Sequence, residues 1–159
     1  MIYKAPAISE TVKTEVVCPN DTNPMGMLQG GKLVQWMDIA AAVCAEIHSE
    51  KICVTAMINK VDFKHPAFVG DIITIRAKIT RAFNTSMEIF VQASSRKVLT
   101  GKNIVISEAF FIFVAVGDDK KACNVPSVNP VTLSDKKLYR EALTRKESSV
   151  NTKRYMRFD

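Results

Sequence analysis

The stretch NPMGMLQGGKLVQWMDIAAA, residues 23–42, carries the residue types that could do chemistry. Asp38 is a carboxylate set among Trp36, Met37, Ile39 and a run of alanines. A carboxylate that faces a narrow, partly dry cleft can act as a base toward water or attack an electrophilic carbon itself. Gly30 and Gly31 precede it where a polar loop turns into an apolar segment. The first turn of a helix offers unpaired N–H groups, and glycines let a substrate approach them closely, so the pair suits an oxyanion site. Blander readings of the same residues stay open. Lys32, Gln35 and Asp38 are spaced by three and would make a solvated helix stripe. The glycine pair is also what a tight loop-to-helix corner needs. Asn23 before Pro24 suits an Asx turn.

Those residues need a frame. Leu33, Met37, Ala40, Cys44 and Ile47 recur at helical spacing, so a helix is predicted from Gly30 through about His48. Val34, Trp36, Ile39, Ala41 and Val43 extend its apolar surface around most of the circumference, as in a helix covered on several sides. The period then changes to two. Ile52, Val54, Ala56 and Ile58 share a face, but Val61 and Phe63 fall out of phase, which predicts a bulge near Asn59 and Lys60. DIITIRAKIT and SMEIFVQAS alternate cleanly, one face for a core and one for water. KNIVISEAFFIFVAV is a long strand, apolar on both sides in its second half, as a central or interface strand would be. With an opening strand at 11–17, the plan is a strand, a long helix and four strands joined by short connections, read as antiparallel neighbours. Residues 117–130 form a polar exit, and a short tail helix follows around Leu138 and Leu143.

The chain of 159 residues fits one core domain, 1–128, with an extension at 129–159. The extension carries eight Lys or Arg against four Asp or Glu, which is most of the net +6. A solvated end, a partner surface and a clamp for a phosphate-bearing ligand all fit such a tail. No apolar run approaches the roughly 20 residues of a membrane span, and the start lacks the plan of a signal peptide. The four scattered cysteines and two distant histidines suggest reduced thiols in a cytoplasmic protein and no metal site. The core is not basic enough to point to nucleic acid.

A helix wrapped by an antiparallel sheet, an α+β plan, is that of the hotdog fold, and an ordered set of motifs sharpens the match. Asn23-Pro24-Met25-Gly26, Gly30-Gly31 and Trp36-Met37-Asp38 are followed by Asp62-Phe63-Lys64-His65-Pro66 and Gly70-Asp71. Thr85-Ser86-Met87-Glu88, the aromatic strand at 109–115 and Val125-Pro126 complete the set. In this the sequence resembles the acyl-CoA hydrolase branch of the hotdog thioesterases, over about residues 10–128. It departs from the family at Gln29, where an aromatic residue or histidine is common, and at Pro24 and Met25, where histidines often follow the asparagine.

The resemblance implies hydrolysis of acyl-CoA thioesters, with no cofactor beyond the coenzyme A of the substrate. It implies a back-to-back dimer, assembled further into a trimer of dimers, in which Asn23 of one subunit holds the water or carbonyl near Asp38 of the other. Whether Asp38 acts as base or nucleophile stays open. Thr85 and Ser86 match the family motif for holding coenzyme A. Arg81, Asn84, Lys60 and Lys64 join them only as cations or donors near a groove mouth. Three other readings stand beside this one. A hotdog sensor would bind acyl-CoA without cleaving it, but no helix-turn-helix precedes the fold. A dehydratase would want a helix histidine, and His48 lies at the far end of the helix. An RNA or membrane contact by the tail would want more interleaved aromatic residues.

Overall fold

The computed structural model describes residues 1–155, the last five as helix backbone only. In chain order the elements are β1 (Tyr3–Lys4), β2 (Thr11–Val16), α1 (Gly30–Ser49), β3 (Ile52–Phe63) and β4 (Ile72–Ala82). Then come β5 (Ser86–Arg96), β6 (Asn103–Val116), β7 (Ser127–Val128) and α2 (Leu133–Tyr155). Five strands make one antiparallel sheet in the order β2-β4-β5-β6-β3. β1 and β7 form a separate parallel pair that the sequence did not announce.

Helix α1 lies on one face of the sheet. Met37, Ala40, Ala41, Cys44 and Ala45 are fully buried against Ile73, Ile75 and Ile79 of β4, Met87, Ile89 and Val91 of β5, and Phe111 and Phe113 of β6. The alanines let the helix sit close to the sheet, so the large residues of the strands fill the space between them. The alternation read in β4 and β5 is therefore the real inward face. The predicted bulge is present too: the β3–β6 register shifts between Asn59 and Asp62, and Lys60 takes φ 53°. A left-handed residue is a common way to absorb one extra position in a strand.

Three expectations need correction. Consecutive strands are not all neighbours. β3 does not pair with β4 but crosses to the free edge of β6. The connection 64–71 is long enough to make that crossing, and it is held by Lys64 N–H donating to the Ile106 carbonyl and Leu28 N–H donating to the Ala67 carbonyl. The tail helix is not short, spanning 23 residues. Nor does the outer sheet face simply meet water, because α2 covers part of it. The register of β5 points Glu88 away from α1, and there it is 2% exposed. Arg145 of α2 grips it with two bonds, Nε to Oε2 at 3.0 Å and Nη2 to Oε1 at 2.7 Å, and stacks on Phe110. Lys78 pairs with Asp135 at 2.7 Å near the helix start.

Removing one partner of a buried ion pair strands the other charge, at a cost of about 3 kcal/mol or more. Arg145→Ala is therefore expected to lower the urea midpoint sharply and to expose α2 to protease. The double change Glu88→Gln with Arg145→Met, which removes both charges, is expected to recover much of that loss.

Candidate active site

Asp38 sits two turns into α1 and is half-buried. Its Oδ1 accepts a hydrogen bond of 2.7 Å from the Thr55 hydroxyl on β3. That bond separates Asp38 from Gln35, its exposed neighbour on the supposed polar stripe. Lys32, the third member, is drawn instead toward Asp21 at 3.7 Å. The alanines that border Asp38 keep the helix surface low beside it. Thr55 was not among the residues singled out from sequence. The available signal was that it is a hydroxyl in the apolar run ICVTAMI, placed so that β3 returns past the middle of α1.

Helix α1 begins at Gly30, and its N-cap residue, Gln29, supplies no side-chain cap. The Gln29 amide is turned away and donates to the Thr22 carbonyl at 3.0 Å. The first-turn N–H groups of Gly30 and Gly31 thus have no acceptor within the helix and none from a cap. The two glycines differ in their surroundings. A Cβ at Gly30 would meet the Phe63 ring at 3.3 Å, whereas one at Gly31 would meet nothing within 4 Å. Gly30 thus lies close against the Phe63 ring, and the space above Gly31 is open.

Asn23 forms the Asx turn expected of it. Its side-chain oxygen accepts from Met25 N–H at 2.9 Å and Met27 N–H at 3.1 Å. Two backbone donors on one atom identify that atom as oxygen, so the amide NH2 is the free end. Asn23 and Gly30 line a cavity of about 340 Å³ whose other walls include Met27, Leu28, Leu33 and Phe63. Asp38 is not part of this cavity. The candidate residues therefore fall into two separate groups, Asn23 with Gly30 and Asp38 with Thr55.

The coenzyme-binding candidates divide as well. Arg81, Asn84, Thr85 and Ser86 share a polar groove at the β4–β5 hairpin, and Lys146 of α2 joins them there. Lys64 lines the Asn23 cavity and pairs with Glu108 at 3.3 Å. Lys60 is exposed at the β3 bulge, away from both. Other chemistry finds little support. Burial pushes the Cys44 thiol up to about 11 and raises that of Cys53, which disfavours a thiolate at either. His48 is fully buried and bonded through Nε2 to the Pro126 carbonyl at 2.9 Å, so it is unsuited to the dehydratase role. Among the described residues, no group of three or more His, Cys, Asp or Glu could hold a metal ion. No helix among them is long and apolar enough to cross a membrane.

The thioesterase superfamily pattern matches residues 25–102. The uncharacterized acyl-CoA thioester hydrolase YkhA of Bacillus subtilis is 34% identical over 92% of this chain and 86% of its own length. The chain belongs to the acyl-CoA thioesterases. Mouse acetyl-coenzyme A thioesterase is 40% identical over 72% of this chain, which spans 21% of the mouse protein's length. A hexameric acyl-CoA thioesterase of known structure superposes with a TM-score of 0.93 at 37% identity, over 99% of this chain and all of its own. The acyl-CoA hydrolase of Staphylococcus aureus, solved with butyryl-coenzyme A and coenzyme A, gives 0.88 at 32% identity, over 97% of this chain and 96% of its own. That hydrolase has also been solved with an asparagine, an aspartate or a threonine replaced by alanine. Those three positions are separated by 15 and 17 residues. Asn23, Asp38 and Thr55 of this thioesterase have the same separations.

Proposed function

We propose that the chain hydrolyses acyl-CoA thioesters to the free acid and coenzyme A, in active sites each built from two copies of the chain. The observation that carries this is the Asp38–Thr55 pair on the exposed flank of α1 and β3. Asp38 takes a proton from water, or attacks the carbonyl carbon itself. The carbonyl oxygen gathers charge and is held by the N–H groups of Gly30 and Gly31. The C–S bond then breaks, and the coenzyme A sulfur takes the proton that Asp38 removed from the attacking water; where Asp38 itself attacks, water then opens the resulting anhydride, frees the acid and supplies the thiol proton. The cavity walls of Met27, Leu28, Leu33 and Phe63 suit an acyl chain, and the free amide of Asn23 suits the water or the carbonyl.

One chain cannot do this alone. Asp38 lies eight residues beyond Gly30, roughly 12 Å along the helix axis at 1.5 Å per residue. Oxyanion donors must come within about 3 Å of the oxygen they hold. The missing half comes from a second copy. β3 is an edge strand with an unpaired side, and beside it Ile39, Val43 and Ile47 form an exposed apolar stripe on α1. Such a surface is covered by association. Antiparallel β3–β3 pairing about a two-fold axis reverses the strand, so the Thr55 end of one copy meets the Phe63 end of the other. Phe63 packs on Gly30, so the partner subunit's Gly30 and the partner subunit's Asn23 arrive beside Asp38. The hexameric state of the similar thioesterase supports a trimer of such dimers. The free cysteines suit a reducing, cytoplasmic setting.

A panel of acyl-CoA esters from acetyl upward, read by thiol release, tests this function. Saturable release with at least one ester is expected. Tight binding across the panel without release would instead make the protein a sensor.

A further inference from the structure

We infer that helix α2 completes the binding site for the nucleotide end of acyl-CoA, and that Lys146 is the residue it contributes. This inference rests on the hydrolase reading above and names the part of the substrate that the tail recognises. Where the sheet and tail cations are structural, they face acids: Lys78 faces Asp135, Lys97 faces Asp71 and Arg145 faces Glu88. Arg81 and Lys146 are held differently. The Arg81 guanidinium lies 4.0 Å from the Tyr139 ring centroid, and the Lys146 ammonium lies 3.9 Å from that of Phe83. Neither has a carboxylate partner among the described residues. Rings fix the position of a cation without neutralising it.

Both charges face one groove of about 380 Å³ at the β4–β5 hairpin. Two like charges brought to one groove repel each other until an anion sits between them. The rest of the lining fits that anion. Asn84, Thr85, Ser86 and Ser127 bring an amide and three hydroxyls, and their side chains make no hydrogen bond among the described residues. Phosphates take such donors together with cations. The site is also built rather than incidental. Lys146 follows Arg145, whose buried bond to Glu88 pins the helix, and Arg81 donates to the Tyr139 carbonyl of the same helix at 3.1 Å.

The groove lies at the right end of the sheet. Thr55 pairs with Phe113, Phe113 with Met87, and Met87 with Ala82, in one transverse row. Three strand spacings make that row roughly 14 Å long. A pantetheine arm has about the backbone length of four peptide residues and spans the same roughly 14 Å when extended. A thioester beside Asp38 therefore has the hairpin within reach of the phosphates of the same molecule.

The test compares wild type, Lys146→Gln, Lys146→Arg and the exposed control Lys137→Gln. Each is assayed on acyl-CoA and on acyl-pantetheine with the same acyl group, which lacks the nucleotide. Lys146→Gln is expected to lower the ratio of kcat/KM for acyl-CoA to that for acyl-pantetheine about tenfold, the scale of one charge-assisted hydrogen bond. The change should appear in KM, Lys146→Arg should restore most of it, and Lys137→Gln should leave the ratio alone. Equal losses on both substrates, or none on either, overturn the inference. Calorimetry with adenosine 3′,5′-bisphosphate reads the groove without turnover, and Lys146→Gln is expected to bind it about tenfold more weakly than wild type. A wild type that cleaves neither substrate would defeat the hydrolase reading, whereas undiminished bisphosphate binding by Lys146→Gln would defeat the role of Lys146.

Discussion

Asp38→Asn is expected to fold like the wild type and to release thiol at least about a hundredfold more slowly, the usual scale for losing a general base or nucleophile. The amide has the shape of the carboxylate, and its oxygen still accepts the bond that Thr55 donates. The helix and its contact to β3 are therefore kept, and only the capacity to take a proton or to attack is lost. Thr55→Ala makes the complementary change. It leaves the carboxylate but frees it to turn, so a smaller loss is expected, about tenfold, the worth of one hydrogen bond to a charged group. The ranking matters as much as the size. If Asp38→Asn kept near-normal turnover, the acid would return to the solvated stripe with Lys32 and Gln35. A single turnover in ¹⁸O-labelled water then bears on the route, label found in Asp38 being evidence for the anhydride. Attack by Asp38 through an anhydride leaves label in its own carboxylate when water opens the anhydride at that carbon, whereas general-base attack by water places all of it in the product acid.

Why these parts of the site and fold were legible, and others not, follows from the range of the interactions that define them. Alternation in Ile73, Ile75, Ala77 and Ile79 is local, because each residue reports its own face, and the sheet bears it out. The bulge at Lys60 was visible as a slip of phase within one strand. Asp38 announced itself because a carboxylate is out of place on an apolar helix. Pairing partners are a different matter. That β3 meets β6 and not β4 depends on which edge is free once the β4-β5-β6 meander has formed. The same holds for Thr55, whose meaning comes only from lying opposite Asp38. Glu88 read as a solvated strand residue, because its partner Arg145 lies 57 positions away. Lys146 looked like one more charge in a basic tail for the same reason. Its ring contact to Phe83 and its groove exist only once α2 is docked.

Mixing two crippled chains should restore activity. Asn23→Ala and Asp38→Asn are each expected to be nearly inactive alone, since every site in either homodimer carries one lesion. In a mixed dimer the lesions segregate. One site receives both altered residues, and the other pairs the intact Asn23 of one subunit with the intact Asp38 of its partner. Equal amounts mixed at random give about half mixed dimers, and each has one good site of two, so roughly a quarter of wild-type activity should return. Assembly of dimers into larger oligomers leaves that fraction unchanged, because the proposed sites form within dimers. The alternative, both residues serving one chain's own site, predicts no recovery at any ratio, since every site keeps its lesion. The spacing supports the proposed shared site: roughly 12 Å of helix separates Gly30 from Asp38, and Asp38 is absent from the cavity that Asn23 lines. The measurement is thiol release after the two variants are unfolded and refolded together, with a tag on one of them to confirm that mixed dimers formed. Confirmed exchange without recovery would reject the shared site while leaving the expected effect of Asp38→Asn intact.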